Sequence, residues 1–318
     1  MNTSGVDPRN LAPLIGVAGA SVLLFYSGFF AFLFAVPIQA IYTRRGAHSG
    51  ITASVITAGL IVVIHLLQIA RLGNGGTEFV RVLLLDSLMP IGLIVGIGIF
   101  NIYRAYPWWL RLTVSTGVAF LGSIPSMVLL HQAVAGEGEL GAQLTQLLAM
   151  LGITENPRQW IEMVRSVVFR TIALGLMVAI AANWWIGRNL ALRTADAAVV
   201  LRQARVPEET IWVVIAGLAV VVGGWIATLP AWFVAIGWNA MLLSSFLFAV
   251  QGIGLGQHLL HRRGFGPRSE RWVLTLVLIM MFLPGLNVVA SVGLPLFGMS
   301  ELWIDYKRGE PYESDTEQ

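Results

Sequence analysis

No cysteine occurs among the 318 residues, and lysine occurs once, as Lys307. The first absence excludes disulfides, thiolate metal sites and cysteine nucleophiles. The second leaves nearly all positive charge to arginine. Charge of either sign is scarce, at 12% of residues, about half the roughly 25% of an ordinary soluble domain. Also missing are the GxSxG, HExxH and paired-acid patterns of hydrolases, so no catalytic residue is assigned. There is no ATPase motif, and no cofactor is expected. The N-terminus lacks the basic start and small-residue cleavage site of a signal peptide, so the first apolar segment is expected to be retained.

Apolar sequence fills the space, at 56% of residues. It is organised as eight blocks, 11–43, 51–70, 79–103, 112–132, 167–186, 210–229, 231–260 and 272–303. Several approach the roughly 20 residues that cross a hydrocarbon core about 30 Å thick. These blocks predict an all-α fold, a polytopic transmembrane helical bundle with eight to ten crossings. The range arises because the first and last blocks are too long for one upright helix, and each carries a break, at Ser27-Gly28 and at Pro284-Gly285. Arginines gather in alternate loops: Arg44 and Arg45, Arg104 and Arg111, then Arg188 through Arg205, then Arg262 through Arg271. The positive-inside rule makes those loops cytoplasmic. Ten crossings also bring Arg9 and Lys307-Arg308 inside, and that count is preferred. The expected location is the bacterial inner membrane.

Four segments follow from this pattern: N-terminal transmembrane helices over 1–132, an extracytoplasmic amphipathic segment over 133–165, C-terminal transmembrane helices over 166–308, and an acidic cytoplasmic tail over 309–318. In the second, Leu140, Leu144, Leu147, Leu148 and Leu151 fall on one helix face, fit to lie on the bilayer or over the bundle. Asn156-Pro157 then reads as the opening of the next helix. Arginine at loop ends implies contact with the lipid bilayer and its anionic phospholipid headgroups, and no nucleic acid is expected as a partner. Glycines at 92 and 96, and at 252, 254 and 256, are spaced for close helix approach. The second set lies in an apolar run without a preceding strand, which removes the nucleotide reading.

The C-terminal third resembles the YybS-like family of bacterial predicted multi-pass membrane proteins, whose function is unassigned. The resemblance rests on Arg205-Val206-Pro207 followed by Trp212, on Asn239, on Gln251-Gly252, on His261-Arg262-Arg263-Gly264, and on the ending Gly298, Glu301, Trp303, Asp305, Tyr306 and Arg308. The family ending has aspartate where Glu301 stands. Pro37-Ile38 with Arg45-Gly46 is similar to the start of the family and, more distantly, to the substrate-binding subunits of energy-coupling-factor transporters. The resemblance implies a membrane bundle and supplies no chemistry.

Polar residues inside apolar blocks are the ligand-binding candidates. Asp86 precedes Pro90 by one turn, and an acid within a span costs about 2.5 to 3.5 kcal/mol; it either serves a ligand or pairs with Arg81. His65 and Gln68, three apart, share a helix face with which to line a cavity or to hydrogen-bond a neighbouring helix. Asn183 joins them. Asn239 and Gln251 are placed inward on the 231–260 block, with Gln257 near its cytoplasmic end. His258 and His261 have no acid at matching spacing and stand beside two arginines, so no metal site is assigned. On the cytoplasmic side Arg202, Arg205, Arg262, Arg263, Glu301, Asp305 and Arg308 are interaction candidates; Glu301, Asp305 and Arg308 share one helix face. Two functions compete. One is a small-solute binding or transport subunit powered by a partner or an ion gradient. The other is a scaffold that recruits a protein partner through its cytoplasmic face. A lipid-modifying enzyme is a third reading, which only Asp86 with His65 could seed.

Overall fold

The computed structural model describes residues 8–28, 30–71, 87–135, 145–146, 148–150, 152, 156–192, 201–304 and 306. Its regular structure is helical: α1 (Pro8–Tyr26), a 3-10 turn (Ala31–Leu33), α2 (Val36–Arg71), α3 (Leu88–Ile102), α4 (Trp108–Ala135), α5 (Pro157–Leu192), α6 (Thr210–Ile226), α7 (Ala231–Arg262), α8 (Pro267–Phe282) and α9 (Leu286–Ser300). The fold is all-α, with no strand among the described residues. Three stretches are long and apolar enough to cross a membrane, Ala31–Arg71, Gln159–Leu192 and Ala231–Arg262. Asp86, Asp305 and Arg308, most of the helix expected around Leu140, and the acidic tail lie outside the described residues.

Both long terminal blocks are broken helices. In the last, Pro284 lacks an N–H and disfavours the helical conformation at the residue before it. Leu283 is accordingly extended (φ −90°, ψ 123°), and α9 restarts after Gly285 at φ 83°. In the first, Ser27 ends α1. Its hydroxyl donates to the Leu24 carbonyl at 2.7 Å and accepts from the Phe30 N–H at 3.1 Å, which replaces helical pairing with a local turn.

α2 is also two arms. Gly46 sits at φ 83°, ψ −177°, a region open in practice to glycine alone. A straight helix would hold residues 42 and 54 about 18 Å apart. Instead the Tyr42 hydroxyl lies 3.5 Å from that of Ser54, and Ile41, Ala53 and Leu14 of α1 form one buried cluster. The arms 36–45 and 47–71 therefore run side by side in opposite directions.

The chain divides into two compact units, Met1–Tyr103 with Leu112–Ala191, and Arg104–Arg111 with Leu192–Gln318. Each carries large apolar side chains outward, among them Leu23 at 75% and Leu121 at 64% exposed in the first, and Trp225 at 76% and Phe282 at 86% in the second. Apolar surface on this scale needs a partner phase or surface to cover it.

Candidate functional site

In the first unit the break between α1 and α2 organises the polar interior. By the pairing of its arms, residue 36 is level with a point near the middle of the second arm, so α2 begins about halfway along that arm. The irregular backbone before it has carbonyls without helical partners. Asn183 of α5 takes one: its Nδ2 donates to the Phe32 carbonyl at 2.7 Å and to its own helix at Ala179, also 2.7 Å. Asn183 is fully buried, and its Oδ1 has no hydrogen-bond partner among the described residues. Turning the amide over would set oxygen against two carbonyl oxygens, so the orphan is fixed. The hydroxyls of Ser115 and Thr116 on α4 are likewise buried without partners among the described residues. A side chain built at Gly96 of α3 would meet the Ser115 carbonyl and Ile180, one turn before Asn183 on α5. Three helices thus meet near these unsatisfied groups.

Below the break, Gln39 and Asn101 exchange amide hydrogen bonds of 2.9 and 2.6 Å, and Asn101 also donates to Ile97 at 2.8 Å. Gln39 rests on Gly187 of α5. At the end of the first arm, Arg44 donates to the carbonyls of Leu190 and Ala191, 2.7 and 3.2 Å away. At the other end, His65 is 2% exposed, and its Nδ1 is 2.7 Å from the Ser87 hydroxyl. The rings of Tyr26 and Phe25 meet the His65 ring edge-on, with centroids 5.7 and 6.4 Å away. Gln68 is half-buried on the same arm.

The second unit has a separate centre. Gln251 of α7, 2% exposed, accepts from the Val206 N–H at 2.7 Å and donates to the Gly298 carbonyl at 3.2 Å and to Glu301 at 2.9 Å. The other Glu301 oxygen faces Arg205 at 3.9 Å. Close backbone approach makes room for this. A side chain at Gly252 would meet the Leu294 carbonyl, one at Gly298 the Phe248 carbonyl, and one at Gly254 the Leu201 carbonyl. Residues 201–206 thus form a strap seated on α7 and clasped to the end of α9.

Of the remaining candidates, Asn239 is half-buried and bonds its own helix at Ala235. Arg202 is half-buried, while Arg262 and Arg263 are exposed. Sequence reasoning gave no role to Gln39, Asn101 or Ser87; Gln257, set near the cytoplasmic end of its block, and His258, set aside as a metal ligand, are buried at 1% and 4% exposed. Among the described residues no group of three or more potential metal ligands occurs. Comparison with family models, curated proteins and solved structures finds no match for this chain.

Proposed function

We propose that this chain is a multi-pass protein of the bacterial inner membrane, of YybS-like type, whose first unit binds a small polar solute beside the broken helix. The observation that carries this reading is the Asn183 carbonyl oxygen. A buried, unsatisfied acceptor is unfavourable by about 1–3 kcal/mol, and a ligand that brings a donor relieves that cost. The break supports the same reading, because irregular backbone at membrane depth is tolerated where it is buried in protein or lines a cavity. With no ATPase motif in the sequence, transport would draw on a partner protein or an ion gradient.

Ten crossings fit the two broken terminal blocks, and the exposed Arg262 and Arg263 are placed to meet anionic headgroups. Scaffolding has less support, since Glu301 turns its carboxylate to Gln251 and Arg205. Native mass spectrometry of protein extracted mildly with lipid tests the reading. Wild type should carry a small molecule that is lost from Asn183→Leu while helicity is kept. Wild type that arrives empty, or a ligand retained equally by Asn183→Leu, would overturn it; a co-purifying polypeptide in place of a solute would favour the scaffold.

A further inference from the structure

Ser87 and His65 are 22 positions apart in sequence, yet their side chains meet at 2.7 Å, both nearly excluded from solvent at 4% and 2% exposed. Serine at the start of a helix ordinarily caps it by accepting a backbone N–H. Ser87 precedes α3 and makes no such side-chain bond. Its hydroxyl is turned to the imidazole instead. A hydroxyl within hydrogen-bond reach of a base, the base held by further groups, is the arrangement that activates a serine nucleophile. Here the edge-on rings of Phe25 and Tyr26 hold the imidazole plane.

We propose that Ser87 and His65 form an acyl-transfer dyad acting on carboxylic esters with an apolar chain. Both residues belong to the first unit, and the aromatic rings of Phe25 and Tyr26 against His65 set the substrate class. In the first step Ser87 Oγ attacks the acyl carbon while its proton passes to His65 Nδ1. The ester C–O bond breaks, and the departing alcohol takes that proton from His65. Water, the only co-reactant, then attacks acyl-Ser87 with His65 again as base, which releases the carboxylic acid and restores the serine. No redox change occurs. Tyr26 is 38% exposed and meets the His65 ring edge-on, so it is the side chain that links the dyad to the surface and gates access.

The test uses the full chain in mild detergent and an alkyl fluorophosphonate, which transfers its phosphonyl group to an activated serine with loss of fluoride. Peptide mass spectrometry should locate one adduct on Ser87. His65→Gln keeps a polar side chain of similar size without the base and should slow labelling by about 100-fold or more. Tyr26→Ala should speed it. No Ser87 adduct in either wild type or Tyr26→Ala overturns the proposal, as does His65→Gln labelling at the wild-type rate. Measurement of p-nitrophenyl octanoate hydrolysis on the same proteins separates a turnover site from one that only acylates: release of product beyond one equivalent is expected, and a single stoichiometric burst would overturn the hydrolytic step.

Discussion

At the scale of single residues, the interior of the first unit is defined by amides that hold one another. Gln39 and Asn101 are 1% and 3% exposed and satisfy each other reciprocally. Replacing Asn101 alone by leucine leaves Gln39 with unmet groups and should cost about 1–3 kcal/mol. Replacing both by leucine removes the need along with the partner, so the double variant should lose much less than the sum of the two single losses. Thermal unfolding of the four proteins in one detergent, followed by circular dichroism, gives the coupling directly. Equal additivity would mean that the pair is incidental. The same logic explains why the sequence pointed to Asn183 but not to Asn101. Asn183 interrupts an apolar run, whereas Asn101 stands close to the Arg104 end of its block, where a polar residue is unremarkable by composition. Only the bend at Gly46, which turns Gln39 back along the unit, gives Asn101 its partner. The sequence marks Asp86 by its cost of burial, whereas the hydroxyl that meets His65 belongs to Ser87, a residue that no spacing rule selects.

At the scale of elements, the breaks were more legible than the bends. Proline and glycine punctuate the chain where α8 gives way to α9, and serine with glycine ends α1, both at the positions their backbone chemistry requires. Pro157 likewise opens α5, where it stands in the first turn. The small-residue spacing also carried information: Gly92 packs against the Ala119 carbonyl, and Gly252 and Gly298 let α7 and α9 approach. The reversal at Gly46 falls in the arginine-bearing loop expected between the first two blocks, but its tightness was hidden, because nothing in the sequence shows that the one glycine between Arg45 and Ala47 makes the whole turn with helix on both sides. Its conformation supplies the test. Gly46→Ala must force φ 83° with ψ −177° on a residue with a Cβ, at a cost of about 1–3 kcal/mol. Gly59, in regular helix with open space around it, should accept alanine with no loss or a gain of up to about 1 kcal/mol. Equal stability of the two variants would show that the arms are not fixed by Gly46. The strap was hidden for another reason: Gln251 binds a backbone N–H at Val206, and the sequence marks no backbone group as special.

At the scale of the molecule, the unsettled quantity is how often the chain crosses the bilayer, and its composition makes that measurable. Because cysteine is absent, any single introduced thiol is the sole target for a membrane-impermeant maleimide. Two breaks decide the count. If α1 and the first arm of α2 cross separately, and α8 and α9 do so as well, Ser27→Cys and Asn287→Cys should label from outside intact spheroplasts, as should Thr228→Cys at the α6–α7 corner. All three positions are exposed. Arg104→Cys and Arg263→Cys, exposed in arginine-bearing loops, should label only after permeabilisation, since positive charge is retained inside. Protection of Ser27→Cys and Asn287→Cys under both conditions, with Thr228→Cys still labelled, would remove both terminal blocks from the count and make each a re-entrant hairpin that turns back inside the bilayer, since Leu14 of α1 packs with Ile41 of the first arm. In that case residues 27–35 would be interior backbone throughout, and the Phe32 carbonyl held by Asn183 would be one of several in need of internal partners. The count of crossings and the chemistry of the Asn183 site are therefore linked. Labelling at Ser27 places the open end of the break at the outer face, where a solute arriving from outside would reach the buried carbonyl oxygen first.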